Sequence, residues 1–143
     1  MFNTIGIITK PKDFTSEETA RELSVFLHEQ DVSLVEGSEQ ISKNADLIIV
    51  VGGDGSILNT ARTYVDRNIP ILGVNLGRLG FLADVSVENM IAVVEQILNG
   101  DFIKEERALL SCQIERGNQI LSKHLAFNDA VIHRNNTPRM IEF

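Results

Sequence analysis

Ala45-Asp46-Leu47-Ile48-Ile49-Val50-Val51-Gly52-Gly53-Asp54-Gly55-Ser56-Ile57 is an aliphatic run that stops in glycines set around one carboxylate. An uninterrupted apolar segment of this length suits a parallel strand covered on both faces, whereas a one-sided sheet would alternate. A helix-like stretch follows from Ile57 to Arg67. A strand, a glycine tip and a helix together bring backbone amides up to a phosphate or hydroxyl. The glycines permit close approach and φ > 0, and the helix start offers unpaired N–H groups and a positive dipole end. Gly52, Gly53, Gly55 and Ser56 make this phosphate-facing loop, and Asp54 stands inside it. A carboxylate repels a bare pyrophosphate, so Asp54 suits a hydroxyl, or phosphates whose charge a metal offsets. As a plain structural turn, the same residues would make Asp54 a helix cap.

The flanking segments repeat the alternation of strand and helix. Ile5 to Thr9 reads as a first strand, broken by Lys10-Pro11-Lys12. Ser16 is expected to cap a helix whose apolar face is Ala20, Leu23, Phe26 and Leu27. Val32 to Val35 reads as a short second strand, Gly37 to Asn44 as a polar, mobile connection, and Ile69 to Val74 as a fourth strand. Ser86 opens a helix with an apolar stripe of Met90, Ile91, Val94, Ile97 and Leu98, closed by Asn99-Gly100. This order predicts an α/β fold with a doubly wound parallel sheet. From residue 101 the character changes. Leu110, Cys112 and Ile114 alternate, Gly117-Asn118 turns, and Gln119 to Phe127 returns, which predicts an antiparallel hairpin followed by a stretch from Ala130 to His133. The predicted division is 1–100 as a nucleotide-binding α/β domain and 101–143 as the start of a β-rich domain. The last residues, Met140-Ile141-Glu142-Phe143, read as another strand, so the chain is expected to be truncated.

Composition narrows the function class. The chain has 143 residues and carries 13 basic against 20 acidic side chains, a net charge of −7 with no basic block, which argues against a nucleic-acid footprint. No segment approaches the roughly 20 apolar residues of a membrane span. The sole cysteine, Cys112, suggests a reducing, cytoplasmic setting, and its alternating position predicts a small core residue. His28, His124 and His133 lack metal-ligand spacing and read as structural or solvated.

Two common phosphate fingerprints fail. Leu58 stands where a dinucleotide-binding turn starting at Gly53 needs its last glycine, and no Gly-Lys-Ser/Thr follows, so a P-loop is excluded. A second tip, Gly73-Val74-Asn75-Leu76-Gly77-Arg78-Leu79-Gly80-Phe81-Leu82, again ends a strand in glycines. In a parallel sheet both tips emerge on the carboxyl edge, where ligands of open α/β sheets bind. Asn75 can donate and accept hydrogen bonds there, and Phe81 offers a ring for a base to stack on, although a turn and a core position are equally open to them. Asn128-Asp129 forms a third polar cluster.

These pieces together resemble the N-terminal part of the NAD kinase family. The resemblance runs through Val51 to Ser56, Gly73 to Leu82, Asn128-Asp129 and Met140 to Phe143. A Gly-Gly-Asp-Gly core is shared with phosphofructokinases and with diacylglycerol and sphingosine kinases, and the second tip is what separates the families. The resemblance implies a Rossmann-like N-terminal domain of the phosphofructokinase and diacylglycerol kinase type. It also implies ATP-dependent phosphorylation of the adenosine ribose 2′-hydroxyl of NAD, giving NADP, with a divalent metal such as Mg and with polyphosphate as an alternative donor. It assigns Asp54 as general base. NAD binding falls to Asp54, Gly55, Asn75, Phe81, Asn128, Asp129 and Arg139, and no protein side chain is assigned to the metal. A homo-oligomer, dimer or tetramer, is implied. The alternatives are a lipid or sugar kinase with the same core, or a nucleotide-binding module without catalysis.

Three features depart from the family pattern. Ser56 stands where Thr or Asn is usual, which keeps a hydroxyl, and Asp129 is one methylene shorter than the usual Glu. A Thr-Pro-Thr-Gly-Ser-Thr-Ala-Tyr segment and the rest of the β-rich domain are missing, so these 143 residues alone are expected to be inactive or nearly so.

Overall fold

Five short strands lie side by side in the computed structural model, which describes residues 2–77, 80, 82–83 and 85–131. They are β1 (Thr4–Thr9), β2 (Ser33–Val35), β3 (Leu47–Val51), β4 (Ile71–Asn75) and β5 (Val85–Ser86), all parallel, in the order β2-β1-β3-β4-β5. β3 sits between β1 and β4, with Ile49 opposite Ile7 on one side and Leu72 on the other. All five of its residues are buried, as its continuous apolar run requires.

Side-chain alternation along β3 feeds two separate cores. Leu47, Ile49 and Val51 pack with Ala20, Leu23 and Leu27 of α1 (Phe14–Glu29) and with Met90, Val94 and Ile97 of α4 (Met90–Leu98). Ile48 and Val50 point the other way, to Ile41 of α2 (Ser38–Asn44), Ile57 of α3 (Asp54–Thr63), Tyr64 and Ala83. Helices therefore cover both faces, and the sheet is doubly wound as expected. Fully burying each such Leu, Ile or Val contributes about 1.5–3 kcal/mol.

Three local expectations are corrected. The segment expected to be mobile contains α2, because Ile41 is almost fully buried and anchors its one apolar position against Gly6. Ser16 does not cap α1. Asp13 does, accepting the Ser16 N–H at 3.0 Å, since the turn over Lys10–Lys12 delivers the chain to the helix three residues earlier. The helix expected from Ser86 begins as a 3₁₀ turn over Val87–Asn89 and becomes α-helical at Met90, and Ser86 belongs to β5. The closure at Asn99-Gly100 is as expected, with Gly100 at φ 87.

Freed from capping, the buried Ser16 hydroxyl joins two strand ends. It donates to the Val51 carbonyl at 2.7 Å and accepts the Lys10 N–H at 3.0 Å. Ser16→Ala leaves these buried groups without that partner, so a loss of about 1–3 kcal/mol is expected, read as a lower urea midpoint at unchanged slope.

The chain divides into two compact units, Met1–Glu105 and Glu106–Phe143. In the second, β6 (Leu110–Arg116) and β7 (Gln119–Ala126) form the expected antiparallel hairpin, with Gly117 at φ 62 in the turn and a register shift between Ile114 and Glu115. No residue of this hairpin is buried. Cys112 is only half-buried, which corrects its reading as a core residue: among the described residues of this unit the two strands make a single layer. Ala130 and Val131 are not strand, and His133 lies outside the described residues. Among the described residues no helix is long and apolar enough to cross a membrane.

Candidate functional site

β1 and β3 are neighbours, yet the helices that follow them pack on opposite faces of the sheet. Their connecting loops must therefore diverge at the carboxyl edge. Such a switch point is where open α/β sheets leave a crevice for ligands. The glycine tip after β3 forms one wall of it.

Gly52 continues the strand end, its N–H donating to the Val74 carbonyl at 2.9 Å, which ties the tip to β4. A Cβ on Gly52 would stand 2.7 Å from the Ser56 hydroxyl, so this glycine makes room for Ser56 to fold back over the tip. Gly53 is the N-cap residue of α3, with φ −98 and ψ −177, and it makes no side-chain cap bond. The positive φ anticipated for these glycines is not used. Gly37, Gly100 and Gly117 are the described glycines that adopt it. At Gly53 and Gly55 an added Cβ would meet no atom of the described residues within 4 Å, so neither their packing nor the backbone conformation demands glycine there. Open space over a helix N-terminus is what a close-approaching anion needs.

Asp54 is the first residue of α3, one past the N-cap Gly53. Its carboxylate reaches the second tip, where Oδ1 accepts the Leu82 N–H at 3.1 Å. Gly80 runs past the same carboxylate at close range. Asn75, at the end of β4, is buried, and its Oδ1 accepts the Gly77 N–H at 3.2 Å, which tightens the start of that tip. Asp54, Gly55 and Asn75 are thus brought to one edge of one sheet.

Other expected residues fall elsewhere. Asn128 and Asp129 are exposed, just past the end of β7 in the second unit. Phe81, Arg139 and the run from Met140 to Phe143 lie outside the described residues. His28 and His124 are exposed, consistent with solvated roles, and among the described residues no three His, Cys, Asp or Glu side chains cluster as metal ligands.

The loop after β1 was read from sequence only as a break, yet it forms the other wall of the switch point. Lys10 lies with its Cβ 3.8 Å from the position a Gly52 Cβ would take, and its ammonium pairs with Asp13 at 3.2 Å. The Ser16 N–H and then the Lys10 ammonium hold the Asp13 carboxyl below the ordinary carboxylate range. Nothing in the local sequence marks this loop as a neighbour of Gly52, because their proximity arises from strand order.

Comparison with known proteins agrees with this geometry. Residues 32–102 match the model of the ATP-NAD kinase N-terminal domain. Among similar curated proteins, the NAD kinase of Hydrogenovibrio crunogenus is 41% identical, over 100% of this chain and 55% of its own length. That of Nitrosomonas eutropha is 39% identical, over 99% and 53%. The chain spans about half the length of the curated relatives it matches. Yeast NADH kinase, solved with NADH, shares the fold with a TM-score of 0.73 at 19% identity, over 87% of this chain and 46% of that one. An Archaeoglobus fulgidus NAD kinase, solved with ATP, gives a TM-score of 0.52 at 26% identity, over 68% and 37%.

Proposed function

We propose, from the premise that this chain belongs to the NAD kinase family, that it carries the catalytic tip of an ATP-dependent kinase that phosphorylates the adenosine ribose 2′-hydroxyl of NAD to give NADP. The activity is proposed for the protein at full length. The observation that carries this reading is the Asp54 carboxylate, held between two glycine tips by the Leu82 N–H and placed beside the open space over Gly53 and Gly55.

Asp54 takes the 2′-hydroxyl proton as that oxygen attacks the γ-phosphorus of ATP. The new O–P bond forms as the bond to the β-phosphate oxygen breaks, and ADP leaves. A hydroxyl is a weak nucleophile, and a positioned base contributes roughly 10²–10⁴-fold. The rest of phosphoryl transfer is alignment and charge neutralisation. The N–H groups at the start of α3 contribute to both, and Ser56 shapes the tip they belong to. A divalent ion such as Mg, when bound, neutralises phosphate charge. Among the described residues, the Asp54 carboxylate at the tip is a hard oxygen donor whose chemistry would suit such an ion.

Asn75, Phe81, Asn128, Asp129 and Arg139 complete the NAD site in this proposal, with residues 101–143 the start of a β-rich NAD-binding domain joined to a 1–100 nucleotide-binding domain. ATP is the donor, polyphosphate an alternative. The protein works in the cytoplasm as a homo-oligomer. Offering NAD, diacylglycerol and fructose 6-phosphate to the full-length protein with ATP tests the acceptor. NADP should form and the other two remain unphosphorylated. Turnover of either of those instead would place the protein among the lipid or sugar kinases, and turnover of none would leave a binding module.

A further inference from the structure

Gly80 belongs to the second tip and is exposed, so close packing in a core does not explain why a glycine stands there. Its neighbourhood supplies the reason. A Cβ at this position would lie 2.6 Å from Cγ and 2.8 Å from Oδ2 of Asp54, and nearer still to Oδ1. No non-bonded carbon approaches a carboxylate that closely. Two residues on, the Leu82 N–H holds Oδ1 at 3.1 Å. Gly80 therefore leaves space for the carboxylate, and Leu82 fixes it with a hydrogen bond.

We infer that Gly80 is a positioning residue for the reaction: its missing side chain is what allows Asp54 to point where it does. The inference rests on the reading of Asp54 as general base. Asp54 is a short side chain on the first turn of α3, so an obstructed carboxylate swings away by rotating about χ1, giving up the Leu82 N–H and its aim. Sheet and helices need not move, because the obstructing contact is with the far end of one side chain. The expected consequence is a folded protein with a misdirected base. Displacement of a reacting group by about 1 Å can cost about 10²-fold in rate. The sequence motif contains Gly77 and Gly80 alike, yet among the described residues a Cβ on Gly77 meets no atom within 4 Å, while one on Gly80 meets the Asp54 carboxylate.

The test is Gly80→Ala in the full-length protein, alone and combined with Asp54→Asn or Asp54→Ala. Gly80→Ala should lower kcat for NADP formation by about 10²-fold with a much smaller change in KM for NAD. It should cost almost nothing further in an Asp54→Asn background, since both changes act through one group. The Leu82 amide resonance should move in Gly80→Ala as it does in Asp54→Ala. If Gly80→Ala fails to fold, Asp54→Ala/Gly80→Ala should regain a cooperative melt, because the contact is gone. Wild-type kcat in Gly80→Ala, an unmoved Leu82 resonance, additive losses in the two backgrounds, or a double variant that also fails to fold would each overturn the inference. A shifted Leu82 resonance alongside full turnover by Asp54→Asn would overturn the base reading and, with it, any role of Gly80 in the reaction. The packing between the tips would survive that result.

Discussion

Asp54→Asn in the full-length protein is expected to lower kcat for NADP formation roughly 10²–10⁴-fold while leaving NAD affinity nearly unchanged. The asymmetry follows from what the side chain does at the tip. Asn has the shape of Asp, and its amide oxygen can still accept the Leu82 N–H that the carboxylate accepts at 3.1 Å. The link between the two tips is therefore kept and the fold should be untouched. What is lost is the ability to receive a proton from the ribose hydroxyl. A coupled NADP assay reads the rate, and calorimetry with NAD reads binding. A fall in kcat of less than about tenfold would remove Asp54 from the base role. Equal losses in kcat/KM and in affinity would make it a binding group instead.

The second large effect concerns the strand that carries this tip. Ile49→Ala is expected to destabilise the protein by about 2–5 kcal/mol, out of the 5–15 kcal/mol typical of a domain. Ile49 is fully buried, paired with Ile7 and Leu72 across both neighbouring strands, and faces the α1 and α4 side of the core. Its side chain has nowhere to be replaced from, because the strands on both sides are held in register and cannot close the cavity. Ile103→Ala, at a residue 98% exposed, should stay within about 0.5 kcal/mol of wild type. Urea midpoints of the two variants make the comparison. If Ile49→Ala lost no more than Ile103→Ala, β3 would not be the centre of the sheet.

Much of the architecture was legible along the chain. The unbroken apolar run before Gly52 required a strand buried on both faces, and β3 is fully buried. The spacing of Leu23 and Leu27, and of Met90, Val94 and Ile97, identified the faces that α1 and α4 turn to the core. Legibility failed where local chemistry offered two solutions. Ser16 and Asp13 both suit a cap, and only the path of the chain out of β1 decides that Asp13 takes it and Ser16 bridges to Val51. The stretch over Gly37–Asn44 is polar, and one buried isoleucine, Ile41, sufficed to hold it as a helix. In the hairpin, the alternation around Cys112 was real, but alternation marks a face and not what covers it.

The candidate site divides in the same way. By itself the sequence determined that a glycine-ringed aspartate ends a buried strand, that a second glycine-rich tip follows, and that the dinucleotide and P-loop fingerprints fail. Residue identity and spacing along one chain are enough for that, because strand periodicity and glycine chemistry are local. Only the tertiary structure decided that the two tips touch, that Asp54 accepts the Leu82 N–H, and that its carboxylate lies where a Gly80 side chain would be. It also set the loop after β1 beside Gly52. The reason is physical: strand order in a parallel sheet joins residues tens of positions apart, and a hydrogen bond between residues 28 positions apart leaves no periodic trace in either segment.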